Sequence, residues 1–231
     1  MSDDLKNKTL NALLWSAADR IGLQGIQFVV SIILARILLP EEFGLIAMLA
    51  IFLAIADAFI NSGFGYALIQ KKEANHVDEC SIFYFNVLVG LLVAALLSLA
   101  APWVADFYNQ PQLILMIYAL SFNLILSALG LVQVTLLSKH LNFKVQQKVS
   151  FISAIGSGTI GVTMALTGFG VWSLVIMQLS NTLFRTSLLW LFNTWRPSWT
   201  FSFDALRSMF GFGSRIFLVG LANALFVNIY S

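Results

Sequence analysis

Long apolar runs alternate with short polar connections along the whole chain, and the runs are the length of membrane helices rather than of strands. Hydropathy and punctuation predict seven spans, at 10–38, 44–69, 81–103, 113–137, 149–168, 170–193 and 206–231. Leu39-Pro40-Glu41-Glu42 separates the first two, and residues 70–79 precede the third. Pro102 and Pro111 break the chain between the third and fourth, and residues 138–148 follow the fourth. Gly168-Phe169-Gly170 predicts a tight turn after the fifth, and residues 193–205 follow the sixth.

One span departs from the apolar pattern. In the first, Ser16, Arg20, Gln24, Gln27 and Ser31 recur every three or four residues. At about 100° per residue they fall within an arc of roughly 80°, a polar stripe on one helix face. A charge at membrane depth costs on the order of 3 kcal/mol for Arg at a span centre. Lipid-facing helices have no reason to align five polar positions, so the stripe predicts a hydrated interior.

Composition agrees with the pattern. The chain is 59% hydrophobic and 10% charged, with a mean hydropathy of +0.85. These values exclude an ordinary soluble domain, and the continuous runs exclude a β-barrel. The expected fold is an all-α polytopic membrane protein. The single cysteine, Cys80, excludes an internal disulfide framework. The N-terminus mixes Asp3 and Asp4 with Lys6 and Lys8 before too long an apolar run, so no cleavable signal is expected.

Charge then sets the orientation. Alternate connections hold Lys6 and Lys8, Lys71 and Lys72, Lys139, Lys144 and Lys148, then Arg196 and Arg207. The opposite connections hold Glu41, Glu42 and Asp106, with Arg36 the one cation near that side. The positive-inside rule places the N-terminus in the cytoplasm. The six tryptophans, 15, 103, 172, 190, 195 and 199, fall near span ends as interface anchors. The seventh run reaches Ser231 without a charged flank, which predicts a fragment of a longer transporter.

Five charges lie inside spans: Asp19, Arg20, Asp57, Arg185 and Arg215. Asn61 follows Asp57 by one turn, and Gln178 and Asn181 precede Arg185 on one face. Three arginines on three helices predict a cationic cavity suited to phosphate, because the guanidinium fork bonds it bidentately and stays charged. Each Arg read alone equally suits pairing with Asp19 or Asp57, or snorkelling to the interface. Small residues form two seams, Ala47, Ala50, Ala54 and Ala58 on the second span and Ser150, Ser153, Ser157 and Gly161 on the fifth, which predict close helix packing. His76 and His140 lie in separate connections without metal-ligand spacing, so no metal is expected. No phosphate-loop motif occurs, and the glycines of 63–65 and 211–213 are too few for a nucleotide fingerprint, so no cofactor is expected. The basic loops suit topology better than nucleic acid. Residues 194–208 carry Trp195, Trp199, Phe201 and Phe203 beside Arg196 and Arg207, an interfacial linker or a hinge.

Six strings carry a family likeness. ARILLPEEFG (35–44), NSGFGYALIQKK (61–72), FYNQPQL (107–113), LLSKHLNFK (136–144), TGFGVWSLV (167–175) and WRP (195–197) occur in the order of the bacterial polysaccharide exporters. The chain resembles the O-antigen and exopolysaccharide flippases (Wzx-like) of the multidrug/oligosaccharidyl-lipid/polysaccharide superfamily. The resemblance implies two six-helix lobes around a central cavity. Residues 1–193 would form the first lobe, 194–205 a cytoplasmic linker and 206–231 the first helix of the second lobe. It implies an undecaprenyl-pyrophosphate-linked oligosaccharide, moved from the cytoplasmic to the periplasmic leaflet of the inner membrane by alternating access. In that setting Arg20, Arg185 and Arg215 are the expected pyrophosphate ligands, and Gln24, Gln27 and Asn61 contact sugar or water. Asp19 and Asp57 are the candidates for coupling or charge balance. Expected partners are the lipid-linked oligosaccharide, membrane lipids, and polysaccharide polymerase and assembly proteins. The competing readings are a cation-coupled multidrug exporter of the same fold and a non-transporting scaffold of a polysaccharide-assembly complex.

Overall fold

The computed structural model describes residues 22–229 other than 62 and 72, and these are helical with no strand among them. The helices are α1 (Gly22–Ile37), α2 (Pro40–Ile60), α3 (Phe64–Gln70), α4 (His76–Tyr108), α5 (Gln112–Lys139), α6 (Phe143–Leu166), α7 (Trp172–Phe192) and α8 (Phe203–Ile229). Five units are long and apolar enough to cross a membrane: α2 with α3, α4, α5, α6 and α8. In lipid only a structure that satisfies its own backbone can span, so apolar runs of this length become helices. The chain is a multi-pass membrane protein. α7 is long enough but carries Gln178, Asn181 and Arg185, and it stays out of the lipid-compatible set.

α4 shows how pattern becomes packing. Leu88, Leu92, Leu96, Leu99 and Trp103 form an exposed stripe, while Gly90, Ala94, Leu97, Ala101 and Val104 are buried on the other side. Small residues on the buried side let α5 come close: a Cβ on Gly90 would lie 2.7 Å from the Cβ of Ala128. α5 is the most buried of the five spans and touches α2, α3, α4, α6 and α7. One apolar cluster joins Leu49, Ile60, Ala101, Leu113, Met116, Leu120 and Val175. A second, nearer the lysine-rich end, joins Phe64, Leu68, Ile82, Phe83, Val132, Leu136 and Met209. α5 contributes to both and is the post around which the others stand.

Three boundaries differ from the sequence expectation. The second span is interrupted. Asn61 turns its amide back onto the Asp57 carbonyl (3.1 Å) and carboxylate (2.9 Å), ending α2, and Gly63 adopts a left-handed φ of 75° before α3 begins. Pro102 does not end the third span: it removes one backbone donor, but α4 runs on to Tyr108 and stops at Asn109, which is left-handed (φ 53°). α4 also starts five residues early. Asn75 accepts from the Asp78 amide (2.8 Å) while the Asp78 carboxylate accepts from the Asn75 amide (3.0 Å), a reciprocal cap. His76 is therefore the first residue of a helix and not a loop residue. The Gly168–Gly170 turn forms as expected, with both glycines at positive φ, and a Cβ on Gly170 would collide with the Glu42 carboxylate.

The connection after α7 is bolted down rather than loose. Trp195 donates its indole N–H to Glu79 (2.8 Å), the Ser198 amide donates to Cys80 Sγ (3.3 Å), and the Ser202 amide donates to Ser81 Oγ (2.9 Å). Arg196 donates to the carbonyls of Trp190, Asn193 and Trp195, each at 2.7 Å, which satisfies the open end of α7. Lys71 pairs with the buried Asp78 carboxylate at 2.8 Å, and Lys139 donates to the Lys71 carbonyl (3.1 Å). The strap thus fixes where α8 leaves the bundle.

α8 then meets the α2–α3 break. A Cβ on Gly63 would run into the carbonyl oxygen of Gly213, and one on Gly213 would lie 3.5 Å from the Phe64 ring. The two short glycine motifs, too sparse for nucleotide binding, face each other as a backbone-to-backbone contact. Gly63→Ala would add a left-handed penalty of about 1–2 kcal/mol to that collision. The purified protein carrying it will melt at lower temperature than wild type. Gly220→Ala, where nothing lies within 4 Å, will not lower the melting temperature. Equal melting of the Gly63 variant and wild type would contradict the packing.

Candidate functional site

The polar positions left out of the two apolar clusters converge on one cleft. Its larger chamber, about 660 Å³, lies between α1, α2, α5, α6 and α7 and is lined by Gln27, Ser31, Asn123, Ser157 and Gln178 among others. A smaller chamber of about 220 Å³ continues toward the lysine-rich end and is lined by Asn61, Arg185 and Thr186 among others. Asp57, Ser127, Asn181 and Thr182 border both, so the two chambers adjoin.

α7 is the polar wall. Its i, i+3, i+4 spacing puts Gln178, Asn181, Thr182 and Arg185 on the cleft side. Direct bonds hold it there. Asn181 donates to Ser157 Oγ on α6 (3.0 Å), and Thr186 and Trp190 donate to the Leu126 and Leu129 carbonyls of α5 (3.0 and 3.1 Å). A Cβ on Gly130 would sit 2.9 Å from Thr186 Oγ1, so α5 and α7 touch along their backbones at this level. The serine and glycine seam of α6 serves the same wall: Gly156 abuts Phe184, and Gly161 abuts Met177.

The chambers differ in electrostatics. The smaller one holds the carboxylate of Asp57 and the guanidinium of Arg185, yet neither has an ion-pair partner among the described residues. Asp57 is oriented by Asn61 instead. Arg185 therefore presents its N–H donors to the cleft. The larger chamber adds amides and hydroxyls to a wall otherwise apolar. Asn123 is the telling one: it is only 7% exposed, and its Oδ1 accepts no hydrogen bond among the described residues. A buried acceptor without a donor costs about 1–3 kcal/mol, so it is normally met by a ligand or water.

Of the residues singled out from sequence, Gln27, Asp57, Asn61 and Arg185 line the cleft. Gln24 is exposed on α1 but lines neither chamber. Arg215 is exposed on α8 and also lines neither, so the structure does not bring it to Arg185. Ser16, Asp19 and Arg20 lie outside the described residues. Sequence reasoning missed Asn123, Ser127 and Thr182, and read Ser157 as part of a packing and sliding seam rather than as cleft lining. Ser121, Asn123 and Ser127 interrupt the apolar middle of the fourth span, which was the available signal.

Fold and cleft together define a polytopic α-helical membrane protein with a polar passage inside its bundle. Residues 33–231 match the family model described as polysaccharide biosynthesis protein. The chain belongs to that family, the Wzx-like polysaccharide exporters. It is 30% identical over 201 residues to the succinoglycan biosynthesis transport protein ExoT of Rhizobium meliloti (86% of this chain, 41% of that protein). It is 27% identical to the lipopolysaccharide biosynthesis protein WzxC of Escherichia coli (97% of this chain, 46% of that protein). It is 26% identical to the teichuronic acid biosynthesis protein TuaB of Bacillus subtilis (75% of this chain, 36% of that protein). The chain thus spans less than half the length of these relatives. No solved structure matches it.

The passage can be probed directly. Cys80 is fully buried and can be replaced by Ser, which keeps a polar group beside Ser198. In that background, cysteines at Ser127, Gln178 and Thr182 will react with a small water-soluble thiol reagent. One at Leu124, in the apolar core, will not. Protection of all three cleft positions would mean a dry interior.

Proposed function

We propose that the chain is part of a transporter that moves an undecaprenyl-pyrophosphate-linked oligosaccharide from the cytoplasmic to the periplasmic leaflet of the bacterial inner membrane. The observation that carries this reading is the two-part cleft: at one end the Arg185 guanidinium, with Asp57 in the same chamber but no salt bridge between them, and at the other a wall of hydrogen-bonding amides and hydroxyls. A lipid-linked oligosaccharide has the same division, an anionic pyrophosphate followed by hydroxyl-rich sugar. The lysine-rich ends of the helices face the cytoplasm in this reading, by the positive-inside rule. The pyrophosphate then enters past Arg185, and the sugar occupies the larger chamber.

Arg185 is the phosphate ligand supported by its position in the cleft, with Arg20 proposed beside it from the stripe on the first span. Arg215 would join them only in another arrangement of α8. Gln27 and Asn61, with Asn123, Gln178 and Asn181, contact sugar or ordered water, and Gln24 would do so near the cleft mouth. Asp57, held by Asn61, balances the charge of Arg185 or takes part in coupling, and Asp19 is proposed for the same part. Residues 1–193 form the first lobe, 194–205 the linker and 206–231 the opening helix of a second, with transport by rocking of the lobes. The names of the relatives, which include a succinoglycan transport protein, support the class of cargo.

Two substitutions test the assignment in cells that depend on the full-length protein for surface polysaccharide. Arg185→Gln removes a charged hydrogen-bond partner worth about 1.5–3 kcal/mol, roughly tenfold or more in export. Arg185→Lys will retain part of it. Normal export by the Gln variant at wild-type protein level would remove Arg185 from the phosphate site. Asn123→Leu gives the opposite signature on stability: it deletes an unpaired buried acceptor, so the melting temperature will hold or rise while export falls. A variant that melts lower and exports normally would mean that Asn123 is structural.

A further inference from the structure

A second cavity lies outside the polar cleft and has a different character. It is a groove of about 690 Å³ between α3, α4, the strap and α8, walled by Phe64, Tyr84, Phe85, Leu88, Phe203 and Phe210 among others. Its floor is locked by rings: Phe64 meets Phe85 and Phe210 with centroids 4.7 and 6.2 Å apart. At its outer end Trp199, almost wholly exposed, stacks on Tyr84 at 5.8 Å. The one charged residue in the wall is Arg207, which is exposed and has no hydrogen bond or ion pair among the described residues.

Position along the helix identifies the groove's depth. α8 lines it from Phe203 to Gly211, eight helical rises or about 12 Å of helix. That is close to the hydrocarbon thickness of one leaflet, about 15 Å, half of a 30 Å core. Arg207 stands one turn from the start of α8, with Phe203 beside it in the wall toward the strap and Phe210 and Gly211 further along the helix. The one acid near this mouth is Asp204, exposed in the first turn and three residues before Arg207, with no ion pair to it.

We infer that the groove is a binding site for one membrane phospholipid of the leaflet on the lysine-rich side. An acyl chain lies along the phenylalanines, and the phosphate rests on Arg207. The guanidinium supplies the planar donor pair that phosphate oxygens accept. Asp204, one helical turn away on the same face, meets an ammonium group. One base and one acid at the mouth match a zwitterionic headgroup, so the occupant is phosphatidylethanolamine. A long polyprenyl chain overruns a groove one leaflet deep, and its pyrophosphate has no ammonium for Asp204. The site is independent of what passes through the cleft.

Native mass spectrometry of the full chain, extracted from membranes holding equal phosphatidylethanolamine and phosphatidylglycerol, tests this. Wild type will retain phosphatidylethanolamine above its share. Arg207→Gln will lose most of that retention, and Leu88→Trp, which fills the groove from its exposed wall, will lose it while Arg207 is intact. Asp204→Asn will shift the retained lipid toward phosphatidylglycerol. Retention of phosphatidylglycerol or of a polyprenyl phosphate by wild type overturns the inference. So does no retained lipid, or equal retention in wild type, Arg207→Gln and Leu88→Trp. Melting temperatures near wild type for both variants would exclude misfolding as the cause of any loss. If Leu88→Trp fails to fold, retention by Arg207→Gln alone decides.

Discussion

A bilayer core supplies no hydrogen bonds, and α7 carries more polar groups than lipid tolerates. This constraint organises the bundle. Gln178, Asn181, Thr182, Arg185 and Thr186 each need a partner or water, and α7 can stand at membrane depth only if other helices enclose it. α5 and α6 do so from two sides and α1 and α2 close the cleft. The apolar stripes of α4 face outward in exchange, and the two core clusters on α5 hold the enclosure shut. A polar helix face turned into the cleft and a lipid-compatible rim are two consequences of one solvent.

The enclosure depends on close approach. Thr186 and Trp190 reach α5 carbonyls because Gly130 leaves no Cβ in the way, and Asn181 reaches Ser157 because α6 presents small residues at that level. Interhelical bonds of this kind average well under 1–2 kcal/mol in membranes, so their weight is in register rather than in total stability. They set the rotation of α7. That rotation aims Arg185 and Gln178 into the passage. Had α7 turned by one residue, about 100°, the same side chains would face α5 or lipid.

The sequence was most legible where periodicity is long. The helix order, the Gly168–Gly170 turn and the membrane class follow from apolar runs and punctuation, and Asp57 with Asn61 and Arg185 with Asn181 were visible as one-turn pairs. What was not legible has physical reasons. The break at Asn61–Gly63 hides inside an apolar run, because a left-handed glycine and a side chain folding back on its own carbonyl leave no trace in hydropathy. Pro102 looked like a terminator because local rules count its missing N–H and not the six residues of helix beyond it. Asn123 and Ser127 lay among other scattered polar residues of their span, Ser121, Gln133 and Thr135, and only tertiary placement singles out the two that wall the cavity. Arg185 and Arg215 were grouped by charge and depth. Azimuth separates them, since α8 packs against α2 and α3 and not against α7.

The broken second span gains meaning from what lies on each side of the break. Asp57 and Asn61 border the polar cleft, and Gly63 and Phe64 contact α8. Only a few residues separate the two roles, and the connection between them is a bent backbone rather than a continuous helix. A straight helix would spread a displacement of α8 over its whole length. A break concentrates it, because the turn at Gly63 is where backbone dihedrals change most easily. At the break itself the contact with α8 is made through the Gly213 carbonyl, flanked by the ring contacts Phe59–Phe217 and Phe64–Phe210. In the proposed two-lobe transporter, that geometry couples the position of α8 to the orientation of Asn61 and, through its 2.9 Å bond, to Asp57. In that reading the charge facing Arg185 is set by the same joint that seats α8. A cleft that must hold an anion on one side of the membrane and release it on the other needs such a link between lobe position and local charge geometry.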